Sequence, residues 1–339
     1  MGTRMWRGKL RGALVGCGFF GRIQHEAWGR IPEVEIVAAC DRQLDRARAL
    51  APRAYCSAAE MLDREELDFL DVATGPETHL ELVRMAAQRG LPVICQKPMA
   101  RDWREAVALV ETAEAAGVRL IVHENWRWQP WYREAAARIR EGAIGQPVTY
   151  LFRTRRNDGG GAAPYPAQPY FRNMPRLLVF ETLVHLLDTA RMLFGEIEAV
   201  FALLRRLNPA IAGEDHAALL IRHVSGIFGV VDGHRFLDLS EDSPPMGDAF
   251  FEGDRGMLHV SAEGHLLRDG RLLWENRIRE GYRGDSVRAA QQHFLRCLLD
   301  GVPAESEGRE YLKTFAAVEA AYRSAAEGRL VKLEEVRAC

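Results

Sequence analysis

Between Leu10 and Gly29 a short, mainly apolar run of six residues meets three closely spaced glycines, and a helical stretch opens on the last of them. Leu10–Val15 has the length and apolar content of a buried strand, Gly16-Cys17-Gly18-Phe19-Phe20-Gly21 makes the turn, and Gly21–Gly29 is expected as a helix. A strand that turns straight into a helix starts a βαβ unit, and the next hundred residues repeat the alternation. Strands are expected at Val34–Ala39, Phe69–Ala73, Pro92–Cys95 and Arg119–Val122. Helices are expected at Gln43–Leu50, Ala58–Asp63, Glu77–Arg89 and Trp103–Ala116. Short links between strands and helices predict a parallel sheet covered on both faces, in which strands read as continuous apolar runs.

The glycine hexamer has a specific physical meaning in that setting. Gly16 suits a tight turn, Gly18 lets the backbone approach a pyrophosphate, and Gly21 lets the helix pack close to the strand. Phe19 and Phe20 lie at the helix N-terminus, whose unpaired N–H groups and partial positive charge favour phosphate. Asp41 closes the second strand twenty positions beyond Gly21, where an acid accepts hydrogen bonds from an adenosine ribose. The whole pattern predicts a dinucleotide site. Asp41 repels a 2′-phosphate and so favours NAD, while Arg42 beside it is either a solvated side chain or a partner for adenine or for the phosphate of NADP.

After about residue 125 the pattern changes. A tryptophan-rich stretch leads into a helix at Tyr132–Glu141, and period-two alternation then marks Val148–Arg155, Val200–Arg206, His216–Arg222, Ile227–Val231, Met257–Ser261 and Arg271–Trp274 as strands of an antiparallel sheet. Asn157–Arg176, rich in Gly and Pro, is a long irregular segment of the kind that is either functional or disordered. Helices are expected at Leu177–Phe194, Ser286–Leu299 and Glu310–Glu327, with a last short strand at Leu330–Leu333. The division expected is a dinucleotide-binding domain over 8–125 and an α+β domain with a large, mainly antiparallel, open-faced sheet over 126–339. The overall class is α/β.

Charge and composition exclude several partners. The formal net charge is -2 and the arginines are spread along the chain, so no nucleic-acid or membrane-surface footprint stands out. No apolar run approaches the roughly 18 residues of a membrane span, and the first residues lack a signal peptide's apolar core. The six cysteines contain no CxxC pair, which fits a reducing compartment; a cytoplasmic protein with a small-molecule substrate is expected.

Gln96-Lys97-Pro98 extends the reading. Together with the glycine hexamer, Ala73-Thr74-Gly75-Pro76-Glu77-Thr78-His79, Gly142-Ala143-Ile144-Gly145 and the pair Glu181 and His185, taken in order, this chain resembles the Gfo/Idh/MocA oxidoreductases, which include glucose–fructose oxidoreductase and inositol dehydrogenase. The resemblance spans nearly the whole chain. It implies hydride transfer between a nicotinamide and a hydroxyl or carbonyl carbon of a sugar, polyol or sugar acid. It adds Thr74, Gly75, Pro76, His79, Gln96 and Lys97 to the cofactor-binding residues, and it implies a homodimer or homotetramer associating through the open sheet face. Two positions depart from the family. Gln96 stands where its members carry glutamate in a Glu-Lys-Pro tripeptide, and Glu181 where they carry the aspartate of an Asp-x-x-x-His pair.

The residues themselves support this chemistry. Lys97 follows a buried strand, at the carboxyl ends where open α/β sheets bind ligands, and its ammonium can stabilise a developing alkoxide. Glu181 and His185 are four apart on one helix face with Asp188 a turn further on, three titratable groups that are costly on a buried helix unless paired or used. The unperturbed histidine side chain titrates at about 6.5, which makes a residue of this type at position 185 suited to accepting a hydroxyl proton. Glu181 can orient that ring or bind a substrate hydroxyl, and Asp188 can hold the other ring nitrogen. Arg127, Arg153, Arg155, Tyr170 and Arg172 are further candidates for substrate contacts, each also readable as a solvated or packing residue; a metal site is not expected. Two other functions fit the same fold: a dinucleotide-binding regulator without turnover, and a glycosidase that uses bound NAD transiently. Retention of Lys97 and His185 argues against the first.

Overall fold

The computed structural model describes residues 8–240 and 242–338. Cys339, one of the six cysteines, lies outside them, and the other five are free. The chain divides into two compact units: residues up to Glu124 together with Val287–Leu312, and Asn125–Ser286 together with the chain from Lys313 on.

The first unit contains a parallel sheet of β1 (Leu10–Val15), β2 (Val34–Cys40), β3 (Arg53–Tyr55), β4 (Phe69–Val72), β5 (Val93–Gln96) and β6 (Leu120–His123) in the order β3-β2-β1-β4-β5-β6. The strand order reverses between β1 and β4, so the turn after β1 opens at the crevice where such sheets bind nucleotides. Helices α1 (Phe19–Gly29), α2 (Leu44–Arg48), α3 (Ala58–Arg64), α4 (His79–Ala87) and α5 (Trp103–Ala115) connect the strands. β3 is not expected from the sequence; three residues are too few to show a period. The sequence reading also places Val287–Leu312 in the second domain. Its residues Phe294, Leu295, Cys297 and Ala304 instead complete the apolar core around Leu10, Trp28, Phe69, Ile94 and Ile121. Phe69 lies 5.0 Å from Trp28 and 5.4 Å from Phe294 between ring centroids. Arg119 ties the same segment down by donating to Glu307 and to the Cys297 carbonyl.

In the second unit, α6 (Pro130–Arg140) and α7 (Val184–Phe194) accompany a nine-stranded sheet. Its strands are β7 (Pro147–Arg155), β8 (Ile197–Arg205), β9 (His216–His223), β10 (Phe228–His234), β11 (Gly247–Gly253), β12 (Gly256–Val260), β13 (Leu266–Arg268), β14 (Arg271–Trp274) and β15 (Val331–Lys332), ordered β14-β13-β12-β11-β7-β10-β9-β8-β15. The pairing is antiparallel except between β7 and β10. β11 and β13 escape the sequence reading: β11 reads Gly-Asp-Ala-Phe-Phe-Glu-Gly, with adjacent aromatics that break the alternation.

The two sheet faces differ. On the covered face Tyr150 stacks on Phe194 of α7 at 4.6 Å, and Phe152 meets Tyr132 of α6 and Phe251. On the other face the register aligns Phe201, Leu220, Val230, Leu151 and Phe250 into one apolar row across five strands. The neighbouring row aligns Ala218, Asp232, Arg153 and Asp248. The Gly- and Pro-rich segment is packed. Tyr165 and Phe171 form a small core with Leu177 and Ile211, and Asn208 donates to the Gly159 and Gly161 carbonyls at 2.7 and 2.8 Å.

The expected helix Leu177–Phe194 is in two parts. Residues Leu178–Leu183 make a π-helical turn and α7 continues from Val184. The buried Glu214 carboxylate caps the start by accepting the Leu177 and Val179 N–H groups, where orphan N–H groups and the helix dipole favour an anion. Among the described residues no helix is long and apolar enough to cross a membrane.

Candidate active site

At the end of β1 each glycine of the hexamer meets a separate constraint. Gly16 has φ +95° and donates its N–H to the Cys40 carbonyl, a conformation that L side chains rarely adopt. A Cβ at Gly21 would fall 1.9 Å from the Gly16 carbonyl oxygen, so only hydrogen lets α1 start this close to the turn. A Cβ at Gly18 would meet no described heavy atom within 4 Å. A strand-to-helix turn packed tightly at Gly21 and open at Gly18 has room to cradle a pyrophosphate, and Phe19 and Phe20 open α1.

Asp41 caps the far side of the cradle. Its Oδ2 accepts the Cys17 N–H and its Oδ1 the Gln43 N–H, both at 2.8 Å, which holds the carboxylate at the end of β2 with lone pairs to spare for ribose hydroxyls. Arg42 is exposed beside it. After β4, Thr74 accepts the Thr78 hydroxyl at 2.7 Å, and Gly75 and Pro76 lead into a short 3₁₀ turn. His79 is fully buried. Its ring nitrogens sit 3.1 Å from the Met99 and Thr74 carbonyls and burial pulls its pKa down; the ring lies between the loop after β4 and the loop after β5, and its neutral form donates to one of the two carbonyls. That is a bracing position for His79, one step behind the cofactor-binding role read from the sequence. Gln96 also turns inward. It ends β5 with its side-chain carbonyl accepting the Lys97 N–H at 2.8 Å and its amide donating to Gln24 at 3.1 Å. Lys97 follows, 8% exposed.

The second unit holds the histidine. His185, on the first turn of α7, is 4% exposed and stacks face to face on Trp126, with ring centroids 4.7 Å apart and planes within 2°. Glu181 lies in the π-helical turn just before it and is half-buried. Extra residues in a helical turn shift the side chains that follow, and such turns recur at functional sites. A polar chain leads to that carboxylate: Asp158 accepts Arg235 through both oxygens at 2.6 Å, Arg235 donates to the Thr182 hydroxyl at 3.1 Å, and Thr182 donates to Glu181 at 2.8 Å. Tyr170 is more than half exposed. Its phenol is pushed up first by desolvation and then by the neighbouring Glu181 charge.

Other candidates fall elsewhere. Asp188 is engaged by Arg127, whose Nε and Nη2 donate at 2.6 and 2.7 Å, and by the Thr314 hydroxyl at 2.8 Å; pair and partners are buried. Arg127 and Asp188 thus brace α7 from beneath. Arg153 and Arg155 project from the open face of the sheet, where they pair with Asp248 and Asp232, on the opposite side from α7. Arg172 donates to the Pro164 carbonyl at 2.7 Å and holds the loop that carries Tyr170. Among the described residues no group of three or more His, Cys, Asp or Glu is placed to hold a metal ion.

Comparison with known proteins agrees with this geometry. A model of the oxidoreductase family with an NAD-binding Rossmann fold matches residues 10–124, and one of the Gfo/Idh/MocA C-terminal domain matches residues 132–259. A D-apiose dehydrogenase from Paraburkholderia graminis is 40% identical over 347 residues, taking in 97% of this chain and 91% of that one. The chain belongs to the Gfo/Idh/MocA oxidoreductase family. It is an NAD-dependent dehydrogenase. A D-apiose dehydrogenase from Rhizobium rhizogenes is 36% identical, over 96% of this chain and 98% of that one. The crystal structure of an oxidoreductase from Agrobacterium radiobacter in complex with NAD+, L-tartaric acid and magnesium superposes with a TM-score of 0.87 at 34% identity, covering 96% of this chain and 99% of that chain.

Within the Gfo/Idh/MocA fold several participants were not legible in the sequence. Trp126 belongs to the tryptophan-rich stretch, and the group it packs on is the candidate base itself. Arg235 and Asp158 are 77 residues apart and meet only in the fold. Gln24 was hidden on an amphipathic helix, but Asp71 left a signal, a carboxylate in the middle of an apolar strand.

Proposed function

We propose that this dehydrogenase oxidises a hydroxyl-bearing carbon of a small sugar or polyol, with an aldose such as D-apiose as the first candidate, and that Lys97 and His185 act on one substrate hydroxyl. The observation that carries the reading is the His185 imidazole, nearly buried, pinned flat on Trp126 and preceded by a carboxylate in a π-helical turn. When bound, NAD supplies the two-electron acceptor for the substrate C–H. The Lys97 ammonium donates to the hydroxyl oxygen and stabilises the negative charge that develops there. The imidazole takes up the hydroxyl proton, and the tryptophan face beneath it favours the cation that results. Glu181, backed by Thr182 and Arg235, binds a neighbouring hydroxyl, and Tyr170 lies beside it. In the reducing direction the same groups donate. The similarity of sequence to two D-apiose dehydrogenases over nearly the full chain supports an aldose.

The apolar row on the open sheet face supports a homo-oligomer. Leu203, Leu220 and Phe228 are 64%, 45% and 53% exposed, a cost that a second copy would remove.

The test is a panel of D-apiose, other aldoses, sugar acids and myo-inositol with NAD, followed at the absorbance of the reduced nicotinamide. Lys97→Ala and His185→Ala should each lower kcat about a hundredfold or more while NADH affinity stays within a few-fold. A panel with no turnover by the wild-type protein, or full turnover in either variant, would remove the proposal.

A further inference from the structure

Asp71 is 0% exposed in the middle of β4, between Leu14 of β1 and Ile94 of β5. Two neutral donors reach its carboxylate: Trp28 Nε1 gives to Oδ2 at 2.7 Å and Gln24 Nε2 to Oδ1 at 2.6 Å. Gln24, also 0% exposed, accepts at Oε1 from Gln96 Nε2 at 3.1 Å, and Gln96 Oε1 accepts the Lys97 N–H at 2.8 Å. Gln291 donates to the Gln24 backbone carbonyl at 2.9 Å and holds that residue from the other side.

The direction of every bond in this chain is dictated by its ends. A peptide N–H can only donate, so Gln96 must turn its carbonyl to Lys97 and its amide nitrogen to Gln24. Gln24 must then turn its own nitrogen to Asp71, and the last member must be an acceptor. Bonds aligned head to tail polarise one another in a low-dielectric interior. The family's tripeptide carries glutamate at position 96. In this chain position 96 is neutral, and the carboxylate sits two side chains deeper.

We propose that Asp71, Gln24 and Gln96 form a positioning chain for Lys97, in which a carboxylate buried in the sheet fixes the peptide of the catalytic lysine through two aligned amides, in place of the glutamate that the family's tripeptide carries. Asp71, Gln24 and Gln96 act on geometry; of these four residues only Lys97 touches substrate. The inference rests on the role given above to Lys97.

The proposal makes an unusual demand of substitutions. In Gln96→Glu the new carboxylate takes both the Lys97 N–H and the Gln24 amide, which turns the Gln24 carbonyl onto Asp71. Acceptor then meets acceptor unless Asp71 binds a proton. In Asp71→Asn the introduced amide faces either Trp28 or Gln24, donor against donor. The double variant, Gln96→Glu with Asp71→Asn, satisfies every group. The carboxylate introduced at position 96 accepts from Lys97 and Gln24. The Gln24 carbonyl accepts from the amide introduced at position 71, whose own carbonyl accepts from Trp28. The buried charge has simply moved back along the chain.

Expected results follow for the purified enzyme with NAD and the substrate found above. Each single variant should lose about tenfold to hundredfold in kcat, the cost of one unsatisfied buried group at the lysine's support. The double variant should recover to within about threefold of wild type, a coupling that independent sites do not show. Gln24→Leu, which cuts the chain in the middle, should match the single variants with KM little changed. A pH series gives a readout that a packing role would not move. On the neighbouring strand Cys95 is in register with Val72, so its thiol, held protonated by burial, points to the other sheet face, while α1 brings the neutral Trp28 and Gln24 to the carboxylate. Gln96→Glu should therefore lose activity as pH rises, because the proton it needs on Asp71 is lost, and Asp71→Asn should lack that limb. Double and single variants equally impaired, with melting temperature and NADH affinity intact, would overturn the chain. So would full turnover in Gln24→Leu. Lys97→Ala run alongside separates the two claims: inactive Lys97→Ala without rescue in the double variant defeats the chain alone, whereas active Lys97→Ala defeats the role of the lysine.

Discussion

Gly18→Ala separates the demands of cofactor binding from those of folding. Gly18 has φ −77° and ψ −153°, a backbone conformation open to alanine, and the added methyl meets no described heavy atom within 4 Å. Alanine there also narrows the unfolded ensemble, which stabilises a compatible site by about 0.4–1 kcal/mol. The melting temperature should therefore stay within about 2 °C of wild type or rise. If the open side of the turn receives the pyrophosphate, the same methyl stands in its way. Pushing the phosphates back weakens one charge-assisted hydrogen bond from the helix N-terminus, worth about 1.5–3 kcal/mol, so NADH affinity should fall roughly tenfold to a hundredfold. Gly21→Ala should behave in the opposite manner. Its methyl would sit 1.9 Å from a backbone oxygen, α1 must retreat, and stability should fall by about 1–3 kcal/mol or more. Thermal unfolding and a fluorescence titration with NADH decide both. Unchanged affinity in Gly18→Ala, or a melting temperature several degrees lower, would refute the assignment of the open side of the turn to phosphate.

Four further outcomes are expected. Asp41→Ala removes the acceptor of the Cys17 N–H and the carboxylate proposed to anchor the ribose, so NAD should bind at least about tenfold more weakly while discrimination against NADP relaxes; competitive titrations with both cofactors check it. Arg127→Met takes the bidentate guanidinium from the buried Asp188 carboxylate, leaving the Thr314 hydroxyl and the more distant Arg191 at 4.0 Å, and should destabilise the fold by about 3 kcal/mol, measured by urea unfolding, whereas an effect below about 1 kcal/mol would deny that the pair braces α7. Burial raises the Asp71 carboxyl to about 7, so the folded chain holds that proton more tightly than the unfolded one. Stability from this group is then greatest in acid and declines as pH rises from about 4 through about 7, by about 4 kcal/mol across the window; the melting temperature of Asp71→Asn relative to wild type should climb between about pH 5 and 8, and parallel curves would contradict this. Leu220→Asp places a charge in the apolar row of the open face and should shift a homo-oligomer to monomer in sedimentation, with the monomer's secondary structure retained.

Local chemistry made the first unit readable. The strand, the three glycines, the helix and the acid at the second strand's end lie within about thirty residues, and each constrains its neighbours through bonds along the chain. The second sheet was readable where polar and apolar residues alternate, as in β7 and β9, and unreadable in β11, whose Phe250 and Phe251 serve opposite faces in succession. Lys97, Glu181 and His185 stood out because charge on an apolar background is costly. What their neighbours do was decided by contacts across long separations. Asp188 pairs with an arginine 61 residues away, a partner that its helical spacing did not show, and the guanidinium meets the carboxylate through two donors. Arg153 and Arg155 sit two apart on β7 and so share a face, but alternation alone does not say which face helices will cover.

The return of Val287–Leu312 to the first unit bears on how such proteins can be recombined. A chimaera joined once, near residue 125, would pair the amino-terminal segment of one parent with Phe294, Leu295 and the Glu307 anchor of another. Each would have to fit Trp28, Phe69 and Arg119 grown in a different lineage. Inheritance of both units whole needs three junctions, before Asn125, Val287 and Lys313, so no single crossover exchanges one unit without splitting the other.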